Sequence, residues 1–496
     1  MPKKKTNSRS RKSKKPTRTK VTTSVKGKEG GQPSGKKKNK FKTPSGMHDI
    51  LPQDQYLWDY FYRFTREVVE FYNFGKIDTP ILEFTEIFEK GTGHGTDIVE
   101  KEMYNLRTRG GDGLTLRPEG TPPVARAYIQ HGMRKWTLPV KLYYMGPMFR
   151  HDKPQRGRFR QFYQLGLEIL GEQEPTRDIE VIHIAHTIFN RLRLKNIAVE
   201  INSIGCRECR PKYVKKIREH YRYKLKQVCK NCREKYKKNP LRLLDCEDEK
   251  CNRVKIEAPH MVDYLCNDCS THFKKVLDGL DYINVPYLLN PHLVRGLDYY
   301  TKTVFEFFES EFLEDDEGAS GEDKKKKDSS DDADSKAENK DAVSGGEIEL
   351  QKRLAIASGG RYDLLIKNLG GQNAPAVGLA VGVDRVLDVV KRQGVEPKEP
   401  KEPRVFLVQL GDIAKKKAFS LIEEFRKANI PMREALGRDS IGAQLKLANK
   451  FGADLTVIVG QKEAIDGVAI IRDMKSGSQE IVAGDKLIKE IKKRLK

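Results

Sequence analysis

The sequence predicts an α+β protein whose main body is built on an antiparallel β-hairpin and is followed by a small α/β domain. Three observations carry this reading. Val140 to Leu170, VKLYYMGPMFRHDKPQRGRFRQFYQLGLEIL, reads as two strands joined by a loop too polar and basic to be buried. Gln393 to Pro403 is a Pro/Lys/Glu stretch of linker composition. Beyond it, Val405 to Leu410 and Leu455 to Val459 read as buried strands, with helical segments near Ala414 to Ala428 and Ile441 to Phe451. That βαβ rhythm implies a small parallel or mixed sheet.

From the N-terminus, residues 1–42 hold 17 Lys or Arg against the single Glu29 and almost no apolar side chain. Such a segment cannot bury enough surface to offset its ordering entropy, so a disordered basic tail is expected. It serves either to add RNA affinity or simply to solubilise. Of the formal net charge of +24, the tail supplies +16 and the acidic stretch 309–349 supplies −10, so the rest carries +18. A basic body suits a polyanionic partner such as RNA. No stretch approaches the ~20 apolar residues of a membrane span, and no secretory signal is visible, so a cytoplasmic protein without a membrane partner is expected.

Asp54 to Tyr72 repeats apolar and aromatic residues at helical spacing. Lys76 to Phe84, KIDTPILEF, follows as a strand whose Pro80 belongs at an edge or interface. Thr115 to Arg126 begins as a strand and turns at Gly120 and Pro122 into a helix, with Glu119 at the turn. That carboxylate either holds an ammonium group or complements the helix N-terminus. In the return strand of the hairpin, Tyr163, Leu165, Leu167 and Ile169 share one face. Arg160, Phe162, Gln164, Gly166 and Glu168 share the other. The first face is a core. The second is either a solvated face or a ligand floor, with Gly166 sparing room for something close to the backbone. Arg150, ending the outgoing strand, could hold a phosphate bidentately.

All eight cysteines fall between Asn202 and Phe273, as Cys206/Cys209, Cys229/Cys232, Cys246/Cys251 and Cys266/Cys269. Four short-spaced pairs suit two tetrahedral zinc sites of four sulfurs, or else are reduced structural thiols. Which pairs share an ion is open, and nothing in the segment makes the metal catalytic. Thr301 to Phe308 alternates as a strand, residues 309–349 form an acidic low-complexity insertion, and Leu354 to Ser358 resumes the sheet. Ala376 to Val390 is a small-residue strand entering a helix near Val383.

Phe149 and Arg150 with the loop to Gln164 resemble motif 2 of the class II aminoacyl-tRNA synthetases, and specifically of the histidyl-tRNA synthetases. Further matches to the same family are Leu116-Arg117-Pro118-Glu119-Gly120-Thr121, Arg295-Gly296-Leu297-Asp298-Tyr299-Tyr300 and Gly359-Gly360-Arg361-Tyr362-Asp363. An ordered set is far more specific than any one motif. The resemblance spans about Thr43 to the C-terminus. It implies the class II synthetase fold: a catalytic domain at 43–392, with an antiparallel sheet flanked by helices and the cysteine-rich insertion at about 202–273. A linker at 393–403 and an anticodon-binding domain at 404–496 would follow.

The resemblance also implies the chemistry: ATP-dependent activation of L-histidine to histidyl-adenylate, then transfer to tRNA(His), with Mg²⁺ on the phosphates. Arg150 and Arg295 would be catalytic. Histidine would be bound by Glu119, Gly120, Thr121, Arg150, Gln164, Glu168, Arg295, Tyr299, Tyr300 and Tyr362, and ATP by Arg150, Phe162 and Arg385, the motif 3 arginine. Gln155, Arg156 and Arg158 would touch the tRNA acceptor end. Lys76 to Phe84 matches motif 1, a dimer interface, so a homodimer is implied. The chain departs from the family in the acidic insertion, and in having Asp152 and Asp384 where Glu is usual. The rival readings are a non-catalytic histidine sensor or regulatory subunit, and an RNA-binding zinc protein with a vestigial fold.

Overall fold

The computed structural model describes residues 41–93, 96–154, 157–309, 354–397 and 403–495. The basic tail therefore lies outside the described residues except for 41–42, as do the acidic insertion except for Glu309, the motif 2 positions Gln155 and Arg156, and linker residues 398–402. The chain divides after Pro44, and the described helices and strands all belong to the unit from Ser45 onward.

The strands, in chain order, are β1 (Gly75–Lys76), β2 (Leu82–Phe84), β3 (Tyr104–Arg107), β4 (Gly113–Leu116), β5 (Val140–Phe149) and β6 (Gln161–Leu170). They continue with β7 (Ile197–Ser203), β8 (Tyr287–Leu289), β9 (Thr301–Glu309), β10 (Ala357–Arg361) and β11 (Ala376–Gly382). Eight of them form one sheet in the order β1-β5-β6-β11-β10-β9-β7-β8. Its six central strands are mutually antiparallel, while β1 on β5 and β8 on β7 add a parallel pair at each edge.

The alternation read in β6 is what seats the helices. Leu165, Leu167 and Ile169 are fully buried in a core shared with Val377, Leu379 and Val381 of β11 and Phe305 and Phe307 of β9. The apolar stripes of the helices Gln55–Phe71, Thr176–Arg191, Asn267–Tyr282 and Val383–Arg392 pack into the same core. Burying such stripes at ~25 cal/mol per Å² of apolar surface is the main stabilising term. The opposite face of β6 is left for the site.

Three expectations need correction. Lys76 to Phe84 is not one strand: β1 ends at Lys76, the chain crosses at 77–81, and β2 joins the three-stranded sheet β2-β4-β3. Pro80, which lacks a ladder donor, lies in the crossing and not in a strand. The cysteine-rich insertion does not close at Phe273, because the helix Asn267–Tyr282 carries Cys269 near its start and Val276 and Leu280 into the main core. The resumed strand also begins at Ala357 and runs through Gly359, Gly360 and Arg361.

A second, five-stranded sheet is formed by β12 (Val405–Gln409), β13 (Met432–Glu434), β14 (Leu455–Val459), β15 (Val468–Asp473) and β16 (Gln479–Ala483), in the order β13-β12-β14-β15-β16. β12 pairs parallel with β13 and β14, and β14-β15-β16 is antiparallel, so the sheet is mixed. Its core is its own, built on Val405, Leu407, Val457 and Phe425. Among the described residues no helix is long and apolar enough to cross a membrane.

Arg361, at the end of β10, is fully buried and forms an ion pair with the equally buried Asp178. Its guanidinium also donates to the carbonyls of Glu172 (3.1 Å) and Glu174 (3.0 Å), while His272 lies 3.4 Å from Asp178. Burial alone would raise the Asp178 pKa, but the Arg361 charge and the His272 bond outweigh it and hold the carboxyl below its ordinary range. The pair's contribution is thus complete above the ordinary carboxylate range and is lost as pH falls through the lowered value. Arg361→Ala strands a buried carboxylate and should cost ~3–5 kcal/mol in urea unfolding at pH 7. A loss under ~1 kcal/mol, the scale of an exposed pair, would show that Asp178 is solvated in the folded protein.

Candidate active site

The polar face of β6 forms the floor of a cavity of about 320 Å³. Phe162 and Gln164 line it directly. Gly166 does not leave room for a ligand, contrary to the expectation from the sequence. The ring of Tyr144, paired opposite on β5, fills that space: a Cβ on either Gly166 or Gly120 would run into the end of that ring. Both glycines are thus required by a side chain of the protein itself.

Two carboxylates are buried at this floor. Glu168 is fully buried over Gly378, accepting a bond from Thr121 Oγ1 (2.7 Å) and another from the Tyr362 hydroxyl. Burial pushes its pKa up to about 8 against the pull of the Tyr362 and Thr121 bonds, with Glu119 adding to the rise, so it holds a proton at neutral pH. Glu119 accepts from Thr92 Oγ1 and the Tyr299 hydroxyl, each at 2.8 Å, and is also raised by burial, against the attraction of Arg150. Glu119, Thr121, Tyr299 and Tyr300 line the cavity, whereas Glu168 and Tyr362 stand behind it. Gln164 Oε1 is buried with no hydrogen-bond partner among the described residues. An orphaned acceptor in a cavity wall calls for a donor from a ligand.

The other end is cationic. Arg150 donates from Nε to the Pro118 carbonyl (2.9 Å), and its guanidinium carbon lies 5.4 Å from the Phe162 ring centre. Arg385 is held by the Gly157 carbonyl at 3.0 Å. Burial first, then repulsion from Arg158 and Arg150, pushes its pKa down to about 10. Three guanidiniums converging in this way describe an anion site. Arg158, expected at the acceptor end of a tRNA, lines this cavity and pairs with Asp152 at 3.4 Å. Asp384, despite its short reach, accepts the Tyr163 backbone N–H at 2.8 Å.

Arg295 stands between the two ends. It forms an ion pair with Glu306 on β9, donates to Ser358 Oγ at 3.0 Å and lies 5.3 Å over the Tyr300 ring. Its Nε is buried without a partner among the described residues. It does not pair with the nearby Asp298, which accepts from Asn239 instead.

Sequence reasoning missed Tyr144, Asp97, Glu102 and Arg242, all of which line the cavity. Tyr144 was detectable as the residue opposite Gly166 in an antiparallel register. Arg242 had no signal, because it comes from the cysteine-rich segment. There the thiols assemble as Cys206, Cys209, Cys266 and Cys269 in one cluster and Cys229, Cys232, Cys246 and Cys251 in another, all sulfurs of a cluster within 4.8 Å. The first and last pairs of the segment therefore associate, as do the two inner ones. Sulfur separations of 3.6–3.9 Å are far too long for disulfides. They match the ~3.8 Å edge of a tetrahedron with metal–sulfur arms of ~2.3 Å.

Comparison with known proteins agrees with this geometry. Residues 46–315 match the family model for histidyl-tRNA synthetase, and residues 404–494 match that for an anticodon binding domain. A histidine--tRNA ligase of Dehalococcoides mccartyi is 40% identical over 92% of the chain and 100% of its own length. The ligase of Caldicellulosiruptor saccharolyticus is 38% identical over the same shares. Among solved structures, apo histidyl-tRNA synthetase of S. aureus superposes with a TM-score of 0.67 at 29% identity, covering 91% of this chain and 99% of that one. These matches favour the enzyme over the regulatory-subunit reading. A floor of buried carboxylates, an anion site beside it and full-length ligase relatives lead to one conclusion: the chain belongs to the histidyl-tRNA synthetase family, the ligases that join histidine to tRNA.

Proposed function

We propose that the cavity forms histidyl-adenylate from L-histidine and ATP, releases pyrophosphate, and passes the histidyl group to the terminal ribose of tRNA(His) with release of AMP. The observation that carries this reading is the polarity of the cavity: carboxylates and an orphaned acceptor at one end, three converging guanidiniums at the other. Histidine and ATP carry the matching charges. Glu119, steadied by Thr92 and Tyr299, takes the ammonium group, with Gly120 and Thr121 beside it. Gln164 Oε1 accepts the imidazole N–H, and Tyr300 closes the ring's other side. A partner lacking that N–H would leave the acceptor buried and unpaired. Glu168 supports this end through Thr121 and Tyr362.

At the cationic end Phe162 stacks on adenine and Arg385 meets the γ-phosphate; Mg²⁺ arriving with ATP would offset part of the phosphate charge there. Arg150 and Arg295 hold the α-phosphate while a histidine carboxylate oxygen attacks phosphorus and the bond to pyrophosphate breaks. Charge grows on the phosphate oxygens in that step, which is where fixed donors contribute most. Gln155, Arg156 and Arg158 are assigned to the acceptor end, although Arg158 equally suits the triphosphate. Residues 43–392 would carry activation and 404–496 the anticodon contact. The exposed Ile81, Leu82 and Phe84 at the motif 1 crossing suit a homodimer interface. The two cysteine clusters are assigned to structural zinc, and the cytoplasm is the compartment that suits reduced thiolates.

The test is histidine-dependent exchange of pyrophosphate into ATP, followed by charging of tRNA. Arg295→Ala should depress exchange by ~10²-fold or more, the scale of removing one preorganised donor. Arg295→Lys should rescue poorly, because an ammonium lacks the planar fork. Near-normal turnover in folded Arg295→Ala protein would reduce Arg295 to a brace for Glu306. Metal analysis of protein prepared without chelators should find two zinc ions per chain, one for each cluster. Zinc-free protein would leave the cysteines as packed thiols.

Glu168 supplies a pH signature. Its folded value of about 8 stands above the ordinary 4.5, so between these values the folded state keeps a proton that the unfolded chain has released. Stability from this group is therefore full below the ordinary value and falls as pH rises toward 8. In urea unfolding at pH 6 and pH 8, Glu168→Gln should flatten that decline. An unchanged slope would mean that Glu168 is ionised in the folded protein.

A further inference from the structure

Three contacts tie one short stretch of the cysteine-rich insertion to the walls of the cavity. Arg242, buried in the turn Pro240–Leu243, forms an ion pair with Asp97, and both line the cavity. Asn239 Nδ2 donates to Asp298 Oδ1 at 3.0 Å. Lys238 Nζ donates to Glu100 Oε1 at 2.8 Å.

Two of these partners lead to residues that the reaction uses. Asp97 opens the helical turn Ile98–Glu102, and the Glu102 carbonyl accepts the His151 N–H at 2.7 Å, next to Arg150. Glu100, the partner of Lys238, lies within the same turn. The Asp298 N–H donates to the Thr92 carbonyl at 3.1 Å, and the Thr92 hydroxyl holds Glu119. One stretch, 238–242, thus braces the approaches to both Arg150 and Glu119.

The stretch is itself fixed at both ends, since it lies between Cys232 and Cys246, two members of the inner cluster. A long cationic side chain at the edge of a cavity keeps one geometry only if its own backbone is held.

We propose that Arg242 is a positioning residue for histidine activation, set in the cavity wall by the cluster of Cys229, Cys232, Cys246 and Cys251. The part played by the cluster rests on the zinc reading above; the part played by Arg242 does not. Arg242 acts through Asp97 on the turn that adjoins Arg150, so it governs the alignment of reacting groups more than substrate binding.

The experiment compares Arg242→Gln, Arg242→Lys, Asp97→Asn, the Arg242→Gln/Asp97→Asn double variant and Cys246→Ser in the full chain. It reads histidine-dependent pyrophosphate exchange, zinc content and thermal melting. Arg242→Gln, with unchanged zinc and melting, should lower kcat by about tenfold or more while KM for ATP moves little, the scale of a small misalignment. Arg242→Lys should recover part of the loss, and the double variant should be no worse than the poorer single one. Exchange within about twofold of the parent in Arg242→Gln, or additive losses in the double variant, would overturn the positioning role. Cys246→Ser should lose one zinc and reproduce the kcat loss. If it loses zinc and keeps full exchange, the cluster does not set Arg242. If the parent protein holds no zinc, the metal reading fails, and the Arg242 variants still decide the rest.

Discussion

Glu119 and Glu168 lie close together in a floor with almost no access to water, and much of the surrounding structure is arranged to hold them there. Burial disfavours ionisation in both, and the charge of Glu119 adds to the rise at Glu168. Four hydroxyls, from Thr92, Tyr299, Thr121 and Tyr362, supply what water cannot. Those hydroxyls come from separate parts of the chain, so the site exists only when the main sheet, the helix that begins at Thr121 and the segment leading into β9 are all in register. An unpaired buried carboxylate would cost several kcal/mol, which makes the floor a demanding part of the fold as well as its chemical centre.

The cationic end follows a different logic. Arg158 and Arg150 repel Arg385, and the attraction of Asp384 and Asp152 does not make up for that repulsion and the burial. The partners of Arg150 and Arg385 there are carbonyls, which leave most of the charge uncompensated. A site built this way is less stable empty than filled, and an anionic ligand that neutralises it returns that free energy as affinity. The protein therefore concentrates repulsion where the triphosphate of a nucleotide would relieve it.

How much of this was legible depended on range. The alternation of Tyr163, Leu165, Leu167 and Ile169 is local, and it identified the core face of β6 correctly. The turn at Gly120 and the boundary at Val383 were legible for the same reason. Gly166 was misread because Tyr144, which fills its space, lies across the strand pair and is found only by working out the pairing register. Lys76 to Phe84 looked continuous because no turn signal other than Pro80 interrupts it, yet its two ends belong to different sheets. The cysteine spacing revealed four pairs but not which of them cluster, and it hid Arg242 among residues that read only as a scaffold. Local period shows which way a side chain faces; it does not show what arrives opposite.

The two cysteine clusters are nested: the inner one closes wholly within the loop that the outer one spans. A ribosome releases Cys206 and Cys209 first, and their rightful companions Cys266 and Cys269 last. During that interval the middle four thiols emerge next to the waiting pair. With the zinc assigned to each cluster, the shorter inner loop would carry the smaller closure cost, close first and take its four thiols out of competition. Under that assignment nesting would give the growing chain an order of assembly, the inner cluster clearing the way for the outer one to find its match.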